Sequence, residues 1–259
     1  MSQTKRVTAA VILIGDEVLS GRTADKNLQQ IALFLAPLGI SVVESRTIPD
    51  EQDVIVDTVN TLRVQADYVF TTGGIGPTHD DITADSIAAA FGVPIDVRDD
   101  ALAIIEEWYA RTQTPLTESR KRMARIPDGA SLIENPVTGA PGFQMENVFT
   151  LAGVPKIARG MLEDIAHRLE GGAVTLSRTI KGEGLREGDV AGFLGALQQA
   201  HPHVSIGSYP YFLEQVGGKL TRGTQLVVRS TDEAELNSVI SEIAKEVSRL
   251  GVEPVTSAL

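Results

Sequence analysis

The first half of the chain alternates short apolar runs with amphipathic segments, and this alternation restricts the folds that it can adopt. Residues 7–13, 40–43 and 67–72 form apolar runs that are typical of buried strands. Segments with the apolar spacing of helices follow these runs, the last over residues 83–91. Strands that alternate with helices predict a mainly parallel sheet covered on both faces. We therefore expect an α/β fold of three layers, in which a mainly parallel sheet lies between two layers of helices (αβα).

The order of elements changes after Glu170-Gly171-Gly172. Beyond this point the pattern predicts a strand, a helix, two strands and a last helix, which does not continue the earlier winding. We expect the α/β domain to cover residues 1–170 and a small α+β domain to cover residues 171–259. The length of 259 residues suits one large domain with a smaller one.

The chain is acidic and has no cysteine. There are 23 basic and 34 acidic residues, so the formal net charge is −11, and such a protein repels a nucleic-acid backbone. The lack of cysteine excludes disulfides, thiolate metal ligands and cysteine nucleophiles. The first apolar run is too short to span a membrane and has no signal-peptide cleavage site. We expect a cytoplasmic protein that binds neither nucleic acid nor membranes.

A glycine-rich loop between the third predicted strand and the helix 83–91 is the strongest functional signal. The loop reads Thr72-Gly73-Gly74-Ile75-Gly76-Pro77-Thr78-His79-Asp80-Asp81. Glycine lets a ligand approach the backbone amides, and the helix that follows favours an anion at its start. The spacing is neither that of a dinucleotide fingerprint nor that of a P-loop. The glycines alone are equally compatible with a structural turn, but the two carboxylates favour a metal or proton-transfer site.

Acidic residues also follow the first two predicted strands. Gly15, Asp16 and Glu17 come after the first strand, and Asp50 comes after the second. Because the carboxyl ends of parallel strands share one edge of a sheet, we expect Asp50 and Asp81 to face a common site. Taken alone, Asp50 is better explained as the N-cap of the next helix, and the turn at Gly15 as a polar surface turn.

Arg120, Lys121, Arg122 and Arg125 form the dense basic cluster of the sequence. A basic helix face is usually solvated, but in an acidic chain this cluster can also supply counter-charge to a phosphate. His79 is a candidate general base, although a lone histidine in a loop is more often a surface residue.

The glycine loop also resembles the signature of the molybdopterin-binding (MoaB/Mog-like) domain family. Other segments are similar to motifs of the competence-damage-inducible protein A (CinA) branch of that family: residues 14–21 with Asp25 and Asn27, residues 135–143, and Gly153-Val154-Pro155. The resemblance covers roughly the first 170 residues and is specific, because separate motifs occur in order. The C-terminal part, with residues 205–210, is similar to the small domain of CinA proteins and eukaryotic FAD synthases. We do not expect the nicotinamide-mononucleotide deamidase domain of full-length CinA proteins.

The resemblance implies chemistry on a phosphoanhydride beside a metal ion. The molybdenum-cofactor branch adenylylates molybdopterin with ATP and magnesium, whereas the CinA branch is associated with metal-dependent hydrolysis of nucleotide pyrophosphates such as ADP-ribose. The FAD-synthase relative is associated with FAD hydrolysis. Ile75 stands where the adenylyltransferases have threonine, which favours the CinA branch. Two further departures, Thr138-Gly139 in reversed order and Ala152 in place of proline, remove no candidate carboxylate. The family also implies a homo-oligomer, either a dimer or a trimer.

The leading hypothesis is metal-dependent hydrolysis of a nucleotide pyrophosphate in a molybdopterin-binding-type pocket. Asp50 and Asp81 are the expected catalytic residues and the ligands of a divalent metal, Mg²⁺ or a similar ion. The expected substrate- and phosphate-binding residues are Gly15, Asp16, Glu17, Ser20, Gly73, Gly74, Ile75, Gly76, Pro77, Arg122, Asn135, Pro136, Ala140, Pro141 and Gly142. The alternatives are molybdopterin binding with adenylyl transfer in molybdenum cofactor biosynthesis, and a non-catalytic module. Each implies a small-molecule nucleotide or pterin as ligand.

Overall fold

A computed structural model of the protein describes residues 6–214 and 220–258. The chain forms two compact units, which we name unit 1 (Met1–Ala173) and unit 2 (Val174–Leu259). Within the described ranges, none of the helices has the length and apolarity that crossing a membrane requires.

Unit 1 combines a central sheet with helices. Its strands are β1 (Val7–Ile14), β2 (Ile40–Ile48), β3 (Tyr68–Thr72), β4 (Ile95–Val97), β5 (Arg125–Pro127), β6 (Ser131–Ile133), β7 (Gly142–Met145) and β8 (Val148–Leu151). Its helices are α1 (Asp16–Leu19), α2 (Asn27–Leu35), α3 (Gln52–Gln65), α4 (Thr83–Phe91), α5 (Asp99–Arg111), α6 (Glu118–Lys121) and α7 (Pro155–Ile165). Short 3₁₀ helices extend α2, α6 and α7 over Ala36–Leu38, Arg122–Ala124 and Ala166–Arg168.

The central sheet has six strands in the order β2-β1-β3-β8-β7-β6. β1 pairs in parallel with β2 and β3, and β3 pairs in parallel with β8, whereas β7 and β6 are added antiparallel. Alternate side chains of β1 enter two different cores. Ala10 and Ile12 pack with residues of α3, α4 and α5, while Ala9 and Val11 pack with residues of α2 and α7. Helices therefore cover both faces, and the predicted α/β fold with a mainly parallel sheet is confirmed.

The register brings the carboxyl ends of four strands to one edge. Leu13 in β1 is level with Thr47 in β2 and with Thr72 in β3, and Thr72 is level with Leu151 in β8. The segments that leave the sheet at this edge are residues 15–17, Asp50, the glycine loop 73–77 and residues 152–154. This edge is where ligands bind in open α/β sheets.

Unit 2 is a small α+β domain with one antiparallel sheet. Its elements are β9 (Leu176–Glu183), α8 (Glu187–Ala200), β10 (Ser205–Glu214), β11 (Leu220–Ser230), α9 (Glu233–Arg249) and β12 (Pro254–Ala258). The sheet order is β10-β11-β9-β12, which with this element order is a ferredoxin-like arrangement. The predicted α+β architecture is confirmed. The sequence-based prediction for this domain did not include β12. This strand begins at Pro254, and proline within an apolar run argues against a central strand.

Candidate functional site

A cleft of about 660 Å³ lies beside the glycine loop in unit 1. Its lining includes the loop Gly73–Pro77, Asp81, Glu17 and Thr23. The other lining residues are Tyr109, Arg120, Met123, Asn135, Thr138, Ala140, Ala152, Gly153, Val154, Pro155, Ile157 and Met161. Small-molecule sites in proteins measure about 300–1,000 Å³, so the cleft has the size of a ligand site.

The first two glycines of the loop are held against neighbouring atoms. Gly73 has a φ of +104°, and a Cβ there would lie 2.1 Å from the carbonyl oxygen of Ile14. Gly74 has a φ of +66°, and a Cβ there would lie 2.1 Å from Oγ1 of Thr83. The amide of Thr83 donates to the carbonyl of Gly74 at 2.9 Å. Only glycine fits these positions, and the loop backbone therefore lies directly between the end of β1 and the start of α4.

Asp81 is held by the turn that precedes it. Its Oδ2 accepts hydrogen bonds from the amide of Thr78 at 2.8 Å and from Oγ1 of Thr78 at 2.6 Å. A Cβ on Gly76 would lie 2.6 Å from the same carboxylate oxygen, so the glycine leaves the space that the carboxylate occupies. Oδ1 of Asp81 has no hydrogen-bond partner among the described residues. Because Asp81 lines the cleft, this carboxylate can serve a ligand there.

Asp50 lies in an acidic neighbourhood at the same edge of the sheet. Its Oδ2 accepts a hydrogen bond from the amide of Asp16 at 3.0 Å. Burial raises the pKa of Asp50 above its ordinary value, and the negative charges of Asp16, Glu17 and Asp80 add to this rise, while the hydrogen bond from the Asp16 amide opposes it. Asp50 does not line the cleft, but the charge of Asp80, the neighbour of Asp81 in the chain, acts on it.

The alternative explanation of Asp50 as a helix cap is wrong. The N-cap of α3 is Glu51, and no side chain of the described residues caps this helix with a hydrogen bond. The Asp50 carboxylate is bonded to the backbone of Asp16, 34 positions away in the chain. The Asp50 carboxylate therefore links the segment that follows β2 to the segment that follows β1 through a hydrogen bond.

The carboxylates at this edge are of the type that binds a divalent cation. Across residues 6–214 and 220–258, no group of three or more His, Cys, Asp or Glu side chains is arranged to hold a metal ion. Mg²⁺ is usually bound by one or two carboxylates, with waters and substrate phosphate oxygens as its other ligands. Asp81 has a carboxylate oxygen without a hydrogen-bond partner among the described residues, and the Asp50 carboxylate lies near other negative charges, so each is a carboxylate of this type.

The structure brings about half of the predicted site residues to the cleft. Those that line it are Glu17, Gly73, Gly74, Ile75, Gly76, Pro77, Asp81, Asn135 and Ala140. Those outside its lining are Gly15, Asp16, Ser20, Asp50, Arg122, Pro136, Pro141 and Gly142. Arg122 and Pro141 line a small adjoining cavity of about 20 Å³. This cavity and the cleft share the lining residues Gly74, Ile75, Gly76, Asp81 and Met123.

Asn135 organises the loop over residues 135–142. Its side chain is 6% exposed, and its Nδ2 donates to Oγ1 of Thr138 at 2.6 Å and to the carbonyl of Ala140 at 2.8 Å. Its Oδ1 accepts from the amides of Val137 and Thr138 at 3.0 and 3.1 Å. All four hydrogen-bonding positions of the side-chain amide are used within the loop. Asn135 therefore shapes the wall of the cleft and offers no spare donor to a ligand.

Some residues of the cleft were missing from the sequence-based site. Ala152, Gly153 and Val154 follow β8, which pairs in parallel with β3 and so ends at the same edge. The parallel position of β8 is the signal that would have identified them. Tyr109 and Arg120 come from α5 and α6. Their place depends on how these helices pack against the sheet, which no local pattern in the sequence shows.

The fold and the site agree with a family of protein domains. A family model described as "Probable molybdopterin binding domain" matches residues 10–171, and one described as "FAD synthase, middle domain" matches residues 176–255. The first match covers more than half of the chain, and the chain belongs to this family of molybdopterin-binding-type domains. The family includes enzymes, and its members bind nucleotide- or pterin-like ligands and can use a divalent metal.

Individual relatives extend this result. A protein of Aeropyrum pernix is 34% identical over 94% of this chain and 94% of its own length. A CinA-like protein of Citrifermentans bemidjiense is 31% identical over 92% of this chain, which spans 63% of that relative. The crystal structure of CinA from Thermoplasma acidophilum, a protein with unknown function, is 35% identical, has a TM-score of 0.57 and covers 62% of this chain and 98% of its own. The resemblance to the molybdopterin-binding family and its CinA-like members is confirmed.

Proposed function

We propose that the cleft hydrolyses a nucleotide pyrophosphate with the assistance of a divalent metal ion. The observation that carries this proposal is the convergence, at one edge of the sheet, of the loop Gly73–Gly76, the Asp81 carboxylate and the acidic surroundings of Asp50. The proposed substrates are ADP-ribose and FAD-like molecules. The match of residues 176–255 to the middle domain of FAD synthase supports including FAD.

The glycine loop supplies an anion site. Among the described residues, the amides of Gly74, Ile75 and Gly76 donate to no backbone or side-chain oxygen, whereas the Gly73 amide donates to Leu151 at 3.2 Å. Backbone amides without partners beside a cleft are available to phosphate oxygens. Arg122, in the adjoining cavity next to Asp81, adds positive charge near the same position.

The reaction adds water across the P–O–P bond and gives two phosphomonoesters, which together release up to two protons near neutral pH because the second pKa of each is about 6. Asp50 and Asp81 would hold the cation, which when bound neutralises phosphate oxygens and lowers the pKa of water. Thr78 fixes one oxygen of Asp81 and leaves the other free to act as ligand or proton acceptor. The bond from the Asp16 amide fixes Asp50 in the same way. The chain thus orients two carboxylates and holds the diphosphate on its amides.

Asp81→Asn tests the role of the carboxylate. The amide side chain keeps the shape and removes the charge, so we expect kcat for ADP-ribose, FAD or NADH to fall by about 10²–10⁴-fold. Ligand binding should weaken by only about 1–3 kcal/mol. Initial rates with Mg²⁺, Mn²⁺ and Co²⁺ measure the first effect, and calorimetric titration measures the second.

Asp57→Asn is the matched control, because Asp57 is an exposed carboxylate on α3 that does not line the cleft. It should leave the rates unchanged. The proposal would be contradicted if the unaltered protein hydrolysed none of the three substrates with any of the three ions. Equal rates for Asp81→Asn and Asp57→Asn would contradict it as well.

A second candidate function is adenylyl transfer to molybdopterin, which the match to a molybdopterin binding domain supports. Only this function predicts diphosphate release when molybdopterin, ATP and Mg²⁺ are mixed with the protein. A non-catalytic module predicts that a bound nucleotide or pterin is recovered intact after long incubation. We also propose a homo-oligomer, a dimer or trimer as the family resemblance implies, which light scattering would test.

A further inference from the structure

We propose that Tyr109 and Arg120 form the part of this cleft that binds the planar ring of the ligand, a purine or flavin-type heterocycle. The inference deepens the proposed function and rests on it for the class of substrate. Its test measures binding, which is independent of whether the protein hydrolyses anything.

Tyr109 and Arg120 form a contact pair that lines the cleft. Tyr109 lies in the last turn of α5, and Arg120 lies in α6. The guanidinium carbon of Arg120 lies 5.0 Å from the centre of the Tyr109 ring, which is a cation–π distance. Both side chains are partly buried and both line the cleft. A cationic, aromatic surface is therefore accessible to a ligand in the cleft.

Arg120 differs from Lys121 and Arg125 in its ion pairing. Lys121 pairs with Glu118 at 2.8 Å, and Arg125 pairs with Asp85. Arg120 forms no ion pair with any described residue, although the chain is acidic. It is the member of the basic cluster that reaches the cleft, whereas the sequence indicated Arg122. A positive charge without a carboxylate partner is available to an anionic, electron-rich ligand.

The pair is held in place before any ligand binds. Nη1 of Arg120 donates to the carbonyl of Pro115, and the amide of Arg120 donates to the carbonyl of Thr117 at 3.0 Å. Tyr109 packs against the core that contains α3, α4 and α5. Groups that are already ordered lose little conformational entropy on binding, so their contacts contribute fully to affinity.

The lining of the cleft has the two chemistries that a nucleotide pyrophosphate has. The amides of the glycine loop with Asp81 suit a diphosphate and its cation, whereas Tyr109, Met123 and Ile157 are suited to a flat, weakly polar ring. Heterocyclic bases stack on tyrosine rings and on the plane of an arginine guanidinium. This subsite would select nucleotides over sugar phosphates and would tolerate different rings, since every heterocycle has a π face.

The affinities of the full chain for AMP and for ribose 5-phosphate are compared, because only AMP has a heterocyclic ring while both ligands have a phosphate. The comparison isolates the contribution of the ring to binding. Tyr109→Leu keeps apolar volume and removes the π face, and Tyr109→Phe is its matched control. We expect Tyr109→Leu to weaken AMP binding by about ten-fold or more and to leave ribose 5-phosphate within about two-fold, because stacking contributes only to the first ligand. Tyr109→Phe should bind both ligands within about two-fold of the unaltered protein.

Arg120→Lys keeps the charge and removes the planar group, so it should also weaken AMP binding more than ribose 5-phosphate binding. If thermal unfolding shows that Tyr109→Leu does not fold, Arg120→Lys is measured in its place. Equal losses for the two ligands would overturn the proposal. An unaltered protein that binds AMP no more tightly than ribose 5-phosphate would overturn it as well.

The outcomes separate this inference from the proposed function. Ring-dependent binding without hydrolysis of any pyrophosphate would support the subsite and contradict the proposed activity. Hydrolysis of ADP-ribose with unchanged AMP affinity in Tyr109→Leu would support the activity and overturn the subsite.

Discussion

The glycines of the two units differ in what surrounds them. In unit 1, a Cβ on Gly73 or on Gly74 would lie 2.1 Å from a neighbouring atom. In helix α8 of unit 2, a Cβ on Gly192 or on Gly195 would meet no heavy atom of the described residues within 4 Å. The first kind of glycine is required because the backbone closely approaches its neighbours, whereas the second kind only weakens its helix. A glycine is therefore required where an added Cβ would overlap neighbouring atoms, and the presence of glycine alone does not indicate such a position.

Gly73→Ala tests this difference with the largest expected effect. At Gly73 an added Cβ meets both a φ of +104° and the Ile14 carbonyl at 2.1 Å. We expect the free energy of unfolding to fall by roughly 3 kcal/mol or more, from backbone strain and steric overlap together. Urea unfolding followed by the fluorescence of Trp108, the single tryptophan, measures the loss.

Gly92→Ala is the control for backbone strain alone. Gly92 has a φ of +67°, but a Cβ there would meet no atom within 4 Å in the part of the chain that the structure describes. We expect a loss of about 1–2 kcal/mol, which is the ordinary penalty of this conformation for an L-residue. Similar losses for the two variants would show that the close approach of the Gly73 backbone to β1 does not matter.

Gly76→Ala tests whether the loop positions the acidic group of the cleft. Gly76 has no positive φ, and an added Cβ would lie 2.6 Å from Oδ2 of Asp81, a side chain that can move. We expect the carboxylate to shift and the turnover of ADP-ribose to fall by about 10–100-fold, because small displacements of catalytic groups are costly. The free energy of unfolding should change by less than about 1 kcal/mol. Unchanged turnover would contradict the claim that Gly76 positions the Asp81 carboxylate for the reaction.

Gly192→Ala has the smallest expected effect and the opposite sign. The residue is exposed within α8, and alanine favours a helix over glycine by about 0.5–1 kcal/mol. Urea unfolding followed by far-UV circular dichroism should show a gain of that size. Gly184→Ala is the control, because Gly184 has a φ of +80° in equally open space and should lose stability. A loss in Gly192→Ala would contradict the proposed distinction.

The fold was largely predictable because its signals are local. The helix predicted over residues 83–91 is observed as α4 with the same bounds, and Gly92 ends it in a left-handed conformation. Strands β4 and β5 have three residues each, and within residues 6–214 and 220–258 they pair only with each other. Runs of three residues are too short to show an alternation of apolar and polar side chains.

The site was less predictable because it depends on contacts between distant residues. Glu17 and Asp81 were placed by one rule, the shared edge of parallel strands, and both line the cleft. Asp50 shows a tertiary hydrogen bond to the Asp16 amide in place of a local helix cap. Tyr109 and Arg120 meet across 11 positions of sequence. The basic cluster included Arg120, but no motif marked Tyr109.

The most direct measurement is the fate of ADP-ribose incubated with the full chain and Mg²⁺ in ¹⁸O-labelled water, followed by ³¹P NMR and mass spectrometry. We predict AMP and ribose 5-phosphate as products, with one ¹⁸O atom in one of the two phosphates, and no products with Asp81→Asn on the same timescale. Intact ADP-ribose after prolonged incubation with each of Mg²⁺, Mn²⁺ and Co²⁺, together with intact FAD and NADH under the same conditions, would contradict the account.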